Sequence, residues 1–489
     1  MKAKTLAIDI ETYSSVDLTK CGVYSYVNAP DFTILLFAYA FDEEEVKIID
    51  LASGEKLTLE IIKALFDKNI IKTAYNANFE CTCLSKYLNI PMAINQWRCS
   101  AVMSLELGLP LTLEKVAEVL GLEQQKDTRG KDLIRYFSMP CNPTKTNGGR
   151  TQNLPPHDLK KWETFKEYCK QDVEVERDIR RKLSKYPIKN SEQKLWELDQ
   201  RINNRGVLID TDFINNAIKL DTQHSDKCVQ KVIELTGCIN PYSIKQLKEW
   251  VETQENIKID TLNKEKVKEL LGEVKKDNVK EVLKLRLELS KTSVKKYDTM
   301  KRCLCPDNRI RGLLQFYGAN RTGRWAGRLV QVHNLPQNHI SDLETVREIV
   351  KNNNLDTCEM LIENIPDTLS QLIRTSFIPS KGRRFIVSDF SAIEARVIAW
   401  VANEKWRLDV FKTHGKIYEA SASQMFKVPI ESIKKGSHLR QKGKIAELAL
   451  GYGGSVGALI QMGADKMGLE KDELKSLVDK RRTKKSRKY

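Results

Sequence analysis

The sequence predicts an α/β chain of several domains: an α/β block first, a helical middle, a return to α/β, and a helical end. Three observations predict this. Before residue 185, apolar runs of strand length alternate with amphipathic stretches of helical period. From about 186 to 305 the pattern turns helical and heavily charged, as in NKEKVKELLGEVKKDNVKEVLKLRLEL. With 489 residues, 41% of them hydrophobic, the chain is too long for one core, so roughly two to four domains are expected.

The elements follow in order. LAIDIE and ILLFAYAF read as strands, and LEKVAEVLGL as an amphipathic helix closed by Gly121. A polar loop, MPCNPTKTNGGRTQNLPP, then leads into a helix that runs through Asp172, with His157 and Asp158 read as its start. From residue 306 the α/β mix returns, with a strong strand expected at RFIVSDF. Residues 403–479 are again helical, and 480–489 form a basic tail, KRRTKKSRKY. No repeats or long low-complexity segments appear.

Composition bounds the function. The net charge of +16 points to a polyanionic partner or to a solvated basic surface; seven of those charges lie in the tail. No apolar run approaches a membrane span, and acids interrupt the first apolar stretch, so a cytoplasmic protein without a membrane partner is expected (host cytoplasm if phage-encoded). The eleven cysteines include two CxC pairs but no CxxC, and six scattered histidines supply no second half of a zinc site. They read as reduced, structural thiols.

Asp9 and Glu11 sit two apart at the end of an apolar strand, where period two places both carboxylates on one face. Adjacent carboxylates repel, so they need either a hard cation such as Mg²⁺ or simple exposure. YNANFE places Glu80 after an Asn-rich turn. EYCKQD places Tyr168 and Asp172 four apart on one helix face. In this order these residues resemble the DEDDy-type 3′–5′ exonucleases, which have a ribonuclease H-like fold. The resemblance implies that Asp9, Glu11 and Asp172 hold two Mg²⁺ ions, one polarising the attacking water and one stabilising the leaving oxygen. Tyr168 would orient that water. Glu80 departs from the more usual Asp but is long enough to reach a metal or its water.

In the second half, RFIVSDFSAIEARVIAW sets Asp389 after an apolar run and ahead of a helix. Read alone, Asp389 is equally a helix N-terminal acid. RQKGKIAELALGYGG puts Arg440 and Lys444 on one helix face, with Leu448 and Tyr452 continuing the stripe; a plain basic surface helix is the neutral reading. Together these stretches resemble motifs A and B of family A DNA polymerases, and phage-type members in particular. By that resemblance the chain is a DNA-directed DNA polymerase with a 3′–5′ proofreading exonuclease. The division implied is an exonuclease domain (1–185), a helical thumb (186–305), part of an α/β palm (306–402) and helical fingers (403–479) of a right-hand polymerase.

The roles implied by the family are as follows. Asp389 is a palm metal ligand. Glu394 lies near the sugar of the incoming dNTP, and Arg396 is structural. Arg440 and Lys444 bind the triphosphate, and Tyr452 stacks near the template base. ANRTGRWAGRLVQVHNLPQN resembles the segment lying along primer–template DNA. Within it Arg324 and Arg328 suit phosphates, while Asn334 and Gln337 suit sugars or the minor groove. LDQRINNRGVLID, INPYSIKQL and LSKTSVKKY resemble the family's polymerase entry and thumb.

Family members complete the palm with motif C, His-Asp-Glu, which brings a second metal-binding aspartate. No such sequence follows Tyr452. The Mg²⁺ pair of the polymerase site is therefore expected to be incomplete, leaving exonuclease activity and DNA binding for this chain alone. A truncated or frameshifted product, a split enzyme completed by a fragment carrying motif C, and an inactive DNA-binding remnant are the alternatives. A nuclease of this fold acting on RNA fits motifs A and B poorly.

Overall fold

The computed structural model describes residues 4–122, 130–319, 321–451, 454–461, 464, 472, 474–475 and 478–479. They fall into two compact units, residues 1–384 and 385–489. The division lies inside the 306–402 stretch expected to be palm.

The first unit begins with a five-stranded sheet in the order β3-β2-β1-β4-β5. Its strands are β1 (Thr5–Tyr13), β2 (Thr33–Phe41), β3 (Lys47–Asp50), β4 (Ile71–Ala74) and β5 (Trp97–Cys99). β1 pairs antiparallel with β2 and parallel with β4. Both LAIDIE and ILLFAYAF are thus strands, and their nearly continuous apolar character has a cause: β1 and β2 are buried along almost their whole length. The β1–β2 register shifts between Glu11 and Thr12, a bulge beside the acidic pair. On β4, Lys72 is fully buried; its ammonium donates to Asp67 O (2.8 Å), Ile70 O (3.0 Å) and Gln96 Oε1 (2.7 Å).

The helices around this sheet are α1 (Asn78–Tyr87), α2 (Leu113–Val119), α3 (Gly130–Phe137) and α4 (Leu159–Leu183). The LEKVAEVLGL helix stops just before Gly121, whose φ is +58°. α4 starts where expected, with Asp158 as its N-cap accepting from Lys161 N at 3.0 Å. His157 Nδ1 accepts from Leu154 N in the turn before it. α4 packs along β1 and β2 through Trp162, Phe165, Tyr168, Cys169 and Val173. Arg177, also buried, donates to Asp42 O (3.0 Å) and Glu44 O (2.9 Å), fixing α4 to the β2–β3 loop.

The rest of this unit is mainly helical, with α5 (Asn190–Arg205), α6 (Thr211–Thr236), α7 (Asp277–Leu289) and α8 (Leu355–Leu361) among its helices. One core gathers Phe213, Tyr297, Leu369 and Leu372; another gathers Val232, Leu247, Val279 and Leu283. The charged runs of 186–305 lie largely on the outer faces of these helices. A small sheet joins β6 (Val207–Ile209), β7 (Arg309–Ile310) and β10 (Phe377–Ile378), and β8 (Leu314–Ala319) forms a hairpin with β9 (Arg324–Gly327).

The second unit contains α9 (Ile393–Val401), α10 (Ile417–Phe426) and α11 (His438–Gly451). The strand expected at RFIVSDF is not formed. Residues 383–390 have no regular secondary structure, and Ile386 and Val387 are 86% and 88% exposed. A strand is made by its neighbours' hydrogen bonds, and among the described residues none flanks this run, so its β-prone composition has nothing to pair with. α10 and α11 lie close because Gly443 has no Cβ: one placed there would come within 2.2 Å of Tyr418 O. The basic tail and Tyr452 lie outside the described residues.

Candidate active site

The acids predicted near the N-terminus converge on the middle strand of the five-stranded sheet. Asp9 and Glu11 project from β1. Cys169 of α4 reaches the same point, with Sγ 3.5 Å from Asp9 Oδ2, and one ligand atom from each of the three lies within 4.8 Å of the others. Tyr168 and Asp172 share the buried face of α4. Glu80 enters from the first turn of α1, after a turn in which Asn76 takes φ +73°. That first turn also carries the partial positive charge of a helix start.

The electrostatics of this cluster favour a cation. Glu80 is 3% exposed, and its Oε2 finds no hydrogen-bond partner among the described residues. Burial, then the negative charge of Asp9, and then those of Glu176 and Glu11, hold its carboxyl well above the usual range. Burial and the carboxylates of Glu11, Asp172 and Asp9 push the Tyr168 phenol far up, so it remains a neutral donor at any working pH. Hard oxygen donors with an orphaned carboxylate oxygen among them fit Mg²⁺.

Two contributors escaped the sequence reading. Glu176 continues the Tyr168–Asp172 stripe by one more turn. Ser100 Oγ donates to it in a short hydrogen bond and Thr73 Oγ1 donates at 3.4 Å, so it is bound into the scaffold. Gly130, on α3, is the second. A Cβ there would lie 2.2 Å from Tyr168 Cε2 and 2.6 Å from Cζ, so the glycine makes room for the tyrosine ring. That ring is backed by Phe165, stacked at 6.1 Å between centroids.

In the same unit, Arg324, Arg328, Asn334 and Gln337 are all exposed, on or just after the β8–β9 hairpin. Trp325 anchors that hairpin by donating from Nε1 to the buried Asp199 at 2.8 Å. Arg328 and Asp199 also line a cavity of about 370 Å³, together with Asn76, Trp196 and Gln200.

In the second unit, Asp389 lies exposed on the irregular segment ahead of α9 and makes no hydrogen bond or ion pair with another described residue. Glu394 sits in the first turn of α9. Arg396 donates from Nε to Ser391 O (2.9 Å) and covers the Phe411 ring at 4.4 Å. On α11, Arg440 is ion-paired with Glu419 at 2.6 Å, and Lys444 follows one turn later, partly exposed. Tyr418 of α10 links these groups. Burial raises its phenol, Arg440 lowers it, and Glu447, Glu394 and Glu419 raise it further. Glu394 and Arg440 thus share one neighbourhood around Tyr418.

A model of DNA polymerase family A matches residues 213–483. The DNA polymerase of Bacillus phage SP02 is 61% identical over 480 residues, spanning 98% of this chain and 74% of that protein. The chain belongs to DNA polymerase family A. More distant relatives include DNA polymerase I of Pseudomonas aeruginosa, 28% identical over 26% of the chain and 13% of that enzyme. Another is the thermostable DNA polymerase I of Thermus aquaticus, 32% identical over 22% and 13%. The POL domain of Pol1 from M. smegmatis, solved with DNA primer–template and dNTP, has the same fold at a TM-score of 0.62 and 15% identity, covering 98% of this chain and 72% of that one. Family A polymerases use divalent metal ions, generally Mg²⁺. No helix among the described residues is long and apolar enough to cross a membrane.

Proposed function

We propose that this family A chain is a DNA-directed DNA polymerase whose first α/β block is a ribonuclease H-like, Mg²⁺-dependent 3′–5′ exonuclease acting on DNA ends. The observation that carries the exonuclease is the convergence of Asp9 and Glu11 from β1, Glu80 from α1, and Tyr168 and Asp172 from α4. The sheet order β3-β2-β1-β4-β5 supports the fold assignment.

Asp9, Glu11 and Asp172 hold the metal, with Glu80 supplying a further oxygen. Bound Mg²⁺ supplies Lewis acidity and charge neutralisation at the scissile phosphodiester. Tyr168, kept neutral by its surroundings, orients the attacking water. Phe165 and Gly130 hold the ring in place from two sides. Arg324 and Arg328 contact phosphates of the primer–template, and Asn334 and Gln337 contact its sugars or minor groove.

For synthesis, Arg440 and Lys444 bind the dNTP triphosphate and Glu394 reads the sugar. Tyr452, at its motif position, stacks on the template base. Asp389 brings a metal-binding carboxylate to the transfer site.

An end-labelled primer on a longer template, with Mg²⁺ and with or without dNTPs, tests this reading. Shortening under both conditions, lost in Glu11→Gln, supports the exonuclease. Shortening that survives Glu11→Gln would reject it.

A further inference from the structure

Far from the acids of β1, two helices bring a histidine, a cysteine and a glutamate to one point. His224 and Cys228 lie four apart on α6 and so share one face. Glu288 comes from α7, sixty residues further along the chain. His224 Nε2 is 2.9 Å from Glu288 Oε2, Cys228 Sγ is 3.4 Å from His224 Nε2, and Cys228 Sγ is 3.7 Å from Glu288 Oε2.

We propose that His224, Cys228 and Glu288 form a Zn²⁺ site joining α6 to α7. The triangle of donor atoms has the right size. Tetrahedral zinc with ordinary bonds to sulfur, nitrogen and oxygen separates its ligand atoms by roughly 3.3–3.6 Å. The two sulfur edges already match, and the nitrogen–oxygen edge must open by a few tenths of an ångström.

The surroundings fit as well. Glu359 of α8 faces the other ring nitrogen, with Oε1 3.4 Å from His224 Nδ1. A metal-binding imidazole commonly donates its second N–H to such a carboxylate, which fixes the tautomer that leaves Nε2 free for the metal. Glu359 is itself held by Lys227 at 2.6 Å. A thiolate, a carboxylate and a neutral imidazole sum to two negative charges, which a divalent cation cancels. The sulfur and nitrogen donors select Zn²⁺ over Mg²⁺, in contrast to the oxygen-rich cluster on β1. Cys228 is 3% exposed, and His224 and Glu288 are partly buried, so the site is sheltered yet reachable. Three protein ligands leave the fourth position to water.

The test uses the full chain, stripped of metal and titrated with Co²⁺ as a spectroscopic stand-in, then with Zn²⁺. Cys169→Ser serves as the background because Cys169 lies beside Asp9 and Glu11. The expected result is one Co²⁺ per chain with a thiolate-to-cobalt charge-transfer band, displaced by Zn²⁺ and lost when Cys228→Ser is added. Zn²⁺ should raise the melting temperature by about 5 °C in the Cys169→Ser protein and leave Cys228→Ser unmoved. His224→Gln provides the same comparison if Cys228→Ser fails to fold. A chain that binds no Co²⁺ with a thiolate band, or one whose band survives Cys228→Ser, would overturn the proposal; the cluster would then be hydrogen bonds only.

Discussion

Replacing Gly130 with alanine tests whether Tyr168 is held in position for chemistry. The new Cβ would lie 2.2 Å from Tyr168 Cε2, where a relaxed carbon–carbon contact needs about 3.5 Å. The ring must therefore yield by roughly 1.3 Å, or α3 must lift away from α4. Little slack exists for either: Tyr168 is 1% exposed, stacks on Phe165, and Phe165 stacks on Phe137 of α3 itself at 5.4 Å. Alanine improves helix propensity by up to ~1 kcal/mol, but overpacking of a filled core costs ~1–3 kcal/mol, so the net effect on stability is a modest loss. The effect on rate is larger, because a displacement of about 1 Å in a positioning group costs about 10²-fold. Gly130→Ala should thus lower the exonuclease rate on labelled single-stranded DNA about 10²-fold, with a small drop in melting temperature and unchanged DNA affinity. Tyr168→Phe should give a loss of similar size without the stability change. A Gly130→Ala protein that cleaves at the wild-type rate would refute the reasoning.

Other predictions concern separate parts of the molecule. On the proposed triphosphate-binding role of Arg440, its ion pair with Glu419 is a competitor, so Glu419→Gln should tighten dNTP binding by roughly three- to tenfold in a fluorescence titration; unchanged or weaker binding would count against that role of Arg440. Arg324→Ala and Arg328→Ala should each weaken primer–template affinity across sequences and reduce the log–log salt slope by about one; an unaltered slope would remove them from the phosphate contacts. Burial, partly offset by hydrogen bonds from Trp325 and Asn203, raises Asp199 to about 6. Its folded value is then higher than the unfolded value of about 4, so its contribution is fully present below pH ~4 and is lost as pH rises through about 6, up to ~3 kcal/mol in all. Asp199→Asn should flatten that decline in a denaturation series across this range, and a parallel decline would exclude Asp199 as its source.

The parts of the site that could be read from sequence are those carried by short-range periodicity. Two residues along β1 align Asp9 with Glu11, and four along α4 align Tyr168 with Asp172; burial on a middle strand and an inward helix face then brings the pairs together. Glu80 was legible because a strand, an asparagine turn and a helix start follow one another locally. What escaped depends on tertiary approach. Nothing local connects Gly130 to the ring of Tyr168, or Arg440 to Glu419, and the Cys228–Glu288 approach spans sixty residues. The histidines show no zinc-like spacing, and the approach of His224 and Cys228 to Glu288 is a property of the fold that no spacing encodes. RFIVSDF failed for the opposite reason: its local β propensity is genuine, but a strand also needs partners, and the described residues supply none.

The measurement that bears most directly on the central claim is the rate of 3′-terminal nucleotide release from end-labelled DNA in Mg²⁺, comparing the intact chain with Asp9→Ala and Asp172→Asn. The account predicts stepwise shortening by the intact chain, arrested by chelation and reduced at least ~10³-fold by either substitution. Absence of shortening by the intact chain, or shortening that persists in Asp9→Ala, would contradict it.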